Sequence, residues 1–170
     1  MGSSPFIVTA SLPDDIFVWA DALRRAHFPP ERNHLHAHVT RFHAFAPSLF
    51  EELRDFLPRV GKDCPPPEGR IAGLMDLGKG TAIALQSPQL LEVRARIAEH
   101  FHGSLTEQDL HEPRLHITIQ NKVSKDEARA LQADLRDRIE PRSFAFPALE
   151  LHIYRGGPWE FVKRCAFRRQ

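Results

Sequence analysis

A chain of 170 residues, 42% apolar and 26% charged, has the size and balance of one globular domain or two small packed lobes. That excludes a large multidomain enzyme and a disordered chain. With 23 Lys+Arg against 22 Asp+Glu the formal charge is +1, so no whole-molecule field draws in a polyanion and any phosphate must be recognised locally.

Phe6–Ala10 is a short apolar run that predicts a strand, and Pro13-Asp14-Asp15 suits the first turn of a helix. Ile16, Trp19, Ala20, Leu23 and His27 follow at the spacing of one helical face, which ends before Pro29-Pro30. His36–Phe45 alternates like a strand. Pro47-Ser48 opens a second helix through Leu49, Leu53, Phe56 and Leu57, which Pro58 and then Gly61 are expected to break, and Ile71–Leu77 reads as a further strand. Gly78-Lys79-Gly80 reads as a linker, without the surroundings of a phosphate loop.

The same order then repeats: strand Thr81–Leu85, proline-started helix Pro88–Phe101, strand Leu115–Asn121 and helix Lys125–Ile139. Strands Ala148–Tyr154 and Glu160–Phe167 close the chain, with Gly156-Gly157-Pro158-Trp159 as the turn between them. Placing Pro13 on Pro88 gives an offset of 75, and His38 on His116, Leu53 on Leu131 and Ile71 on Leu149 each give 78. The expectation is an α+β chain made of two related units, about 6–77 and 81–155, with a closing strand 160–167, folded as one two-lobed domain.

Ten histidines are the one compositional feature that points to chemistry. Strand alternation puts His36, His38, Thr40 and Phe42 on one face, and in the second unit His116, Thr118 and Gln120 on one face with Leu115, Ile117 and Ile119 on the other. Each unit thus offers a His-x-Thr in which an imidazole that can move a proton stands beside a hydroxyl that can donate to a phosphate oxygen. Two such pairs across a cleft suit in-line attack at a phosphodiester, one imidazole as base and the other as acid. A third match, His102-Gly103-Ser104, falls in a predicted loop.

His38-Val39-Thr40 and His116-Ile117-Thr118, flanked by apolar residues, resemble the paired motifs of the two-histidine (2H) phosphoesterase superfamily, the 2′-5′ RNA ligase and cyclic phosphodiesterase group. The resemblance runs from about Phe6 to Phe167. It implies a bilobal α+β fold with two antiparallel sheets lining a central groove and helices outside. It also implies metal-free hydrolysis of nucleotide or RNA-terminal 2′,3′-cyclic phosphates to 2′-phosphates, with reverse 2′-5′ ligation in several relatives. His38 and His116 would be the acid/base pair, His116 the base and His38 the acid, with Thr40 and Thr118 holding the phosphate.

Around this pair, Phe42 is a candidate for stacking on a base, Tyr154 and His152 for lining the site, and Lys122, Arg155 or Arg41 for a positive charge near the phosphate. By alternation Glu150, His152 and Tyr154 share the groove face of their strand. His34, His36 and His43 crowd the first motif, and a zinc site through His36, His38 and His116 is the metal-dependent alternative, weakened by the lack of Asp or Glu in either motif strand. A phosphate clamp that binds RNA ends or nucleotides without turnover is the non-enzymatic alternative. No metal or other cofactor is expected, and the partner is a nucleotide or RNA end carrying a cyclic phosphate. Cys64 and Cys165 exclude a disulfide framework and suit a reducing cytoplasm, no apolar run approaches the ~20 residues of a membrane span, and the first residues lack the pattern of a secretion signal. The expected state is a cytoplasmic monomer, not membrane-bound.

Overall fold

The computed structural model describes residues 4–111 and 114–169. The elements in chain order are β1 (Phe6–Ala10), α1 (Asp14–His27), β2 (Val39–Phe45), α2 (Phe50–Asp63), β3 (Glu68–Asp76), β4 (Thr81–Gln86), α3 (Pro88–His100), β5 (His116–Gln120), α4 (Lys125–Leu135), β6 (Arg142–Ala145), β7 (Ala148–Tyr154) and β8 (Trp159–Ala166), with short 3₁₀ turns at Pro30–Arg32, Pro47–Leu49 and Glu107–Leu110. The strands form two antiparallel sheets, ordered β2-β1-β7-β8 and β5-β4-β3-β6. This is the α+β architecture of two antiparallel sheets and surrounding helices that the sequence predicts. In each sheet the first two strands come from one half of the chain and the third from the other, β7 beside β1 and β3 beside β4. Under the 78-residue shift the order β2-β1-β7 corresponds to β5-β4-β3.

Both motif strands, β2 and β5, are sheet edges. An edge strand carries a row of backbone groups without a neighbouring ladder, and these must find other partners when covered. α1 packs along β5, and the turn at Glu107–Leu110 packs along β2. α2 lies across β7 and β8, α3 against β3, and α4 against β3 and β4. Ser87 and Ser124 cap α3 and α4, each hydroxyl accepting from a backbone N–H three residues on, Leu90 and Glu127.

Four details depart from the sequence reading. α2 runs through Pro58 and ends at Asp63, because it also packs on β7 and β8 with Leu53, Phe56, Leu57 and Val60 buried, and that packing outweighs the lost hydrogen bond. α1 buries Ile16 and Ala20 as the spacing predicts, but Asp21 and Arg24 are buried with them, while Trp19, Leu23 and His27 are half-buried. α4 stops at Leu135, and β6, the edge partner of β3, has too few apolar residues to be legible beforehand. Regular β2 starts only at Val39, so His38 stands immediately before the strand.

Gly61 sits where α2 crosses β8, and a Cβ there would collide with the backbone carbonyl oxygen of Ala166. Since neither helix nor strand can yield cheaply, Gly61→Ala is expected to lower stability by about 2 kcal/mol despite alanine's better helix propensity, as read from urea unfolding.

Candidate active site

The approach to the first motif is built from α1. Asp21 accepts the backbone N–H of Ala37 at 2.9 Å and the Nε–H of Arg25 at 2.9 Å, fixing the chain one residue before His38. Burial raises the Asp21 pKa, but these two hydrogen bonds and the charges of His36 and Arg25 outweigh it and hold the carboxyl below its usual range. Three residues along the helix, Arg24 is buried with its guanidinium over the Phe28 ring at 4.2 Å. It donates to Asn33 Oδ1 at 2.8 Å and to the backbone oxygen of Thr118 at 3.0 Å, so one side chain ties the loop before His38 to the second motif strand. Burial lowers its pKa to about 10, countered by Asp21, which leaves it cationic near neutral pH.

On the opposite edge Arg94 of α3 is the counterpart. It donates to the backbone oxygens of Arg41 at 3.1 Å and Asp109 at 2.6 Å, while the Asp109 carboxylate accepts the backbone N–H groups of His43 and Ala44. These bonds hold an irregular stretch of β2. Thr9 pairs with Thr40 but Val8 pairs with Phe42, so Arg41 is an extra residue, and a second shift follows before the pairing of Phe6 with Phe45. A bulge of this kind slips the in-out alternation. Two sequence expectations fail here, that for Phe42 because of the slip and that for Arg41 because it shares the inner face with Val39. Phe42 is fully buried, packed on Phe45 at 4.9 Å and beneath the Arg94 guanidinium at 4.5 Å, and so is core, not a stacking surface. Arg41 is likewise inside, at 1% exposure, and does not offer a surface charge.

The two motif histidines are oriented alike. His38 Nδ1 lies 2.7 Å from the carbonyl oxygen of His36, and His116 Nδ1 lies 2.8 Å from that of Arg114. A carbonyl oxygen only accepts, so Nδ1 carries the hydrogen in both rings and the neutral tautomer keeps its lone pair on Nε2. Both side chains and both threonines, Thr40 and Thr118, are half-buried. Burial, the largest influence, pushes the His38 pKa down to about 4 against the opposing bond to His36, and the charges of Arg24, His152 and His116 push the same way as burial. His116 and Arg24 thus lie within electrostatic reach of His38, and Arg24 touches the backbone at Thr118, which brings the two motifs to one place.

Beside His38 opens a hollow of about 450 Å³, walled by Thr9, His34, Glu150, His152, Trp159 and Phe161 among others. The Trp159 ring packs against both His38, at 4.6 Å, and His152, at 5.5 Å, and His152 Nε2 lies 3.3 Å from Thr9 Oγ1. Tyr154 stands exposed at the end of β7, outside this hollow. Lys122 is exposed with a left-handed backbone (φ 60°) and borders a different depression, between the end of α1 and the start of α4. Arg155 pairs with Glu160 at 3.0 Å in the β7–β8 hairpin. His36 leans on Arg25 and Asp21, and His43 on Asp109. Among the described residues no three His, Cys, Asp or Glu side chains are grouped to hold a metal ion, so His36, His38 and His116 do not form the zinc set considered from sequence. Arg24, Arg94, Thr9 and Trp159 are what sequence reasoning missed. Arg24 carried a faint signal, a cation falling on the apolar side of an amphipathic helix.

A family model described as the 2′-5′ RNA ligase superfamily matches residues 12–158. The chain belongs to the 2′-5′ RNA ligase superfamily. Solved structures share its fold at low identity. The TT0787 protein of Thermus thermophilus is 11% identical with a TM-score of 0.65, the comparison covering 98% of this chain and 99% of that one. LigT of E. coli complexed with NADP⁺ is 17% identical with a TM-score of 0.62, and complexed with 3′-AMP it is 17% identical with a TM-score of 0.59, covering in both cases 99% of this chain and 100% of LigT. No curated protein sequence matches significantly. No helix among the described residues is long and apolar enough to cross a membrane.

The unfolded His38 imidazole titrates near 6.5, so between about 6.5 and about 4 the unfolded chain holds a proton that the folded protein refuses. The stability tied to neutral His38 is therefore complete above about 6.5 and lost as pH falls toward 4. Imidazole NMR titration is expected to give His38 a midpoint near 4, and Arg24→Met, which removes a neighbouring cation, is expected to raise it.

Proposed function

We propose that this protein is a two-histidine phosphoesterase that opens the 2′,3′-cyclic phosphate of a nucleotide or RNA end to a 2′-phosphate without a metal ion, and that the same ring opening, with an RNA 5′-hydroxyl in place of water as the attacking group, joins RNA ends through a 2′-5′ bond. The observation that carries this reading is the matched pinning of His38 and His116, each Nδ1–H held by the carbonyl two residues earlier so that each Nε2 is free to take or give a proton. In the hydrolytic direction one Nε2 takes a proton from the attacking water as its oxygen bonds to phosphorus, and the other gives a proton to O3′ as the P–O3′ bond breaks. The hydroxyls of Thr40 and Thr118 donate to the non-bridging oxygens as charge builds on them. The complexes of LigT with 3′-AMP, NADP⁺ and ATP support a nucleotide as the ligand class.

The roles of the two imidazoles depend on charge. In the empty site His38, depressed to about 4, is neutral near neutral pH and fit to accept a proton. The acid role that the family resemblance implies for it requires the substrate's anionic phosphate to lift that pKa, opposing the burial and the nearby cations that lower it. The His38 midpoint should accordingly rise by more than one unit when inorganic phosphate or a nucleoside 2′-phosphate is added; a midpoint that stays near 4 would make His38 the base and His116 the acid.

Purified protein given 2′,3′-cyclic AMP with excess chelator should release the 2′-phosphate. His38→Ala and His116→Ala should each lower turnover about 10²–10⁴-fold with the fold intact by circular dichroism. Loss of activity on chelation would point to a metal enzyme. Binding without product would point to a clamp that does not turn over.

A further inference from the structure

The two sheets present different surfaces to the histidine pair. Across β2-β1-β7-β8 the residues directly opposite one another form a row of Thr40, Thr9, Glu150 and Arg164. The corresponding row on the other sheet is Thr118, Ala82 and Met75, and the residue opposite His116 is Ala84. Beyond Thr118 that row is small and apolar, and the polar groups of the adjoining depression, Gln86 and Arg114, lie at its far end with Ala84 and Leu115. The side next to His38 carries a hydroxyl, a carboxylate, a guanidinium and a third histidine. It also carries two aromatic rings, and one of them, Phe161, is 56% exposed, which is unusual for a phenylalanine with a whole strand on which to bury itself.

The hollow on this side has the size of a small-ligand pocket and the expected mixture of aromatic walls and a few convergent polar groups. Trp159 is already committed to His38 and His152, so the face left for a ligand is that of Phe161 together with the outer edge of Trp159. Glu150 is half-buried and held between His152, at 3.7 Å, and Arg164, at 3.4 Å. The nearby His152 imidazole, then the Arg164 guanidinium, outweigh burial and hold its carboxyl below the usual range, so it is an acceptor with no hydrogen to give.

We infer that the hollow beside His38 is a nucleobase subsite that selects an amino-bearing base, cytosine over uracil, with Phe161 and the edge of Trp159 as the stacking surface and Glu150 as the acceptor for the exocyclic amine. This rests on the reading that a nucleoside phosphate sits at the histidine pair. A carboxylate accepts from the N4 amine of cytosine, whereas the O4 carbonyl of uracil at the same place faces it with lone pairs only. The ribose and base then extend over the β7–β8 wall, leaving the side of His116 for the attacking oxygen.

Calorimetric titration with cytidine 2′-phosphate and uridine 2′-phosphate tests the subsite without relying on turnover. The native protein should bind the cytidine ligand roughly tenfold more tightly, the value of one charge-assisted hydrogen bond gained and one repulsion avoided. Glu150→Gln, whose amide can turn to serve either base, should bring the two within about twofold. Phe161→Ala should weaken both by roughly tenfold and keep the preference. Equal affinities in the native protein, a preference that survives Glu150→Gln, or no binding of either ligand would overturn the subsite. Hydrolysis of 2′,3′-cyclic CMP is followed on the same preparation. A base preference without any product would sink the phosphoesterase reading alone, and product without a base preference would sink the subsite alone.

Discussion

Both His-x-Thr motifs lie on sheet edges, and an edge that is covered must have its outward backbone groups satisfied by something other than a strand. Two buried arginines meet that demand. Arg24 donates to the carbonyl of Thr118 on one edge and Arg94 to that of Arg41 on the other. Burying a guanidinium is unfavourable unless its hydrogens find acceptors, and here the acceptors are the carbonyls and side chains that a motif strand or its approach leaves exposed. The chain is thereby constrained at both motifs without spending the side chains of the histidines or threonines, which stay available to a ligand.

The same constraint sets the electrostatics. Arg24 reaches Thr118 because it is drawn inside, and from there its charge acts on His38. Burial and this neighbour hold the imidazole neutral, while the bond from Nδ1 to the backbone fixes which nitrogen takes the proton. An anion brought to such a place would raise the imidazole's affinity for a proton.

The near-symmetry of the strand orders stops at the side chains. Equivalent strands supply the two His-x-Thr pairs, but the walls beyond them differ, one lined by Thr9, Glu150, His152, Trp159 and Phe161 and the other by Ala82, Ala84, Met75, Gln86 and Arg114. A reaction at phosphorus needs similar groups on either side, whereas the substituents of a phosphodiester are unlike and need unlike surroundings.

Chain-local physics made much of this legible in advance. The alternation of His116, Ile117, Thr118 and Ile119, the helical spacing from Ile16 to Ala20 and the proline start of α3 depend on neighbours a few residues away, and they fixed the α+β class and the motif histidines. What lay beyond reach depends on partners far along the chain. Phe42 faces the core because a bulge at Arg41, held by Arg94 and Asp109 more than fifty residues on, slips the register that simple alternation assumes. Arg24 is buried because β5 needs a donor, β6 exists because β3 needs an edge partner, and Trp159 joins His38 because β7 and β8 pack beside β1. Local periodicity records what a segment can do by itself; which edge is covered, and by what, is decided only when distant segments compete for the same backbone groups.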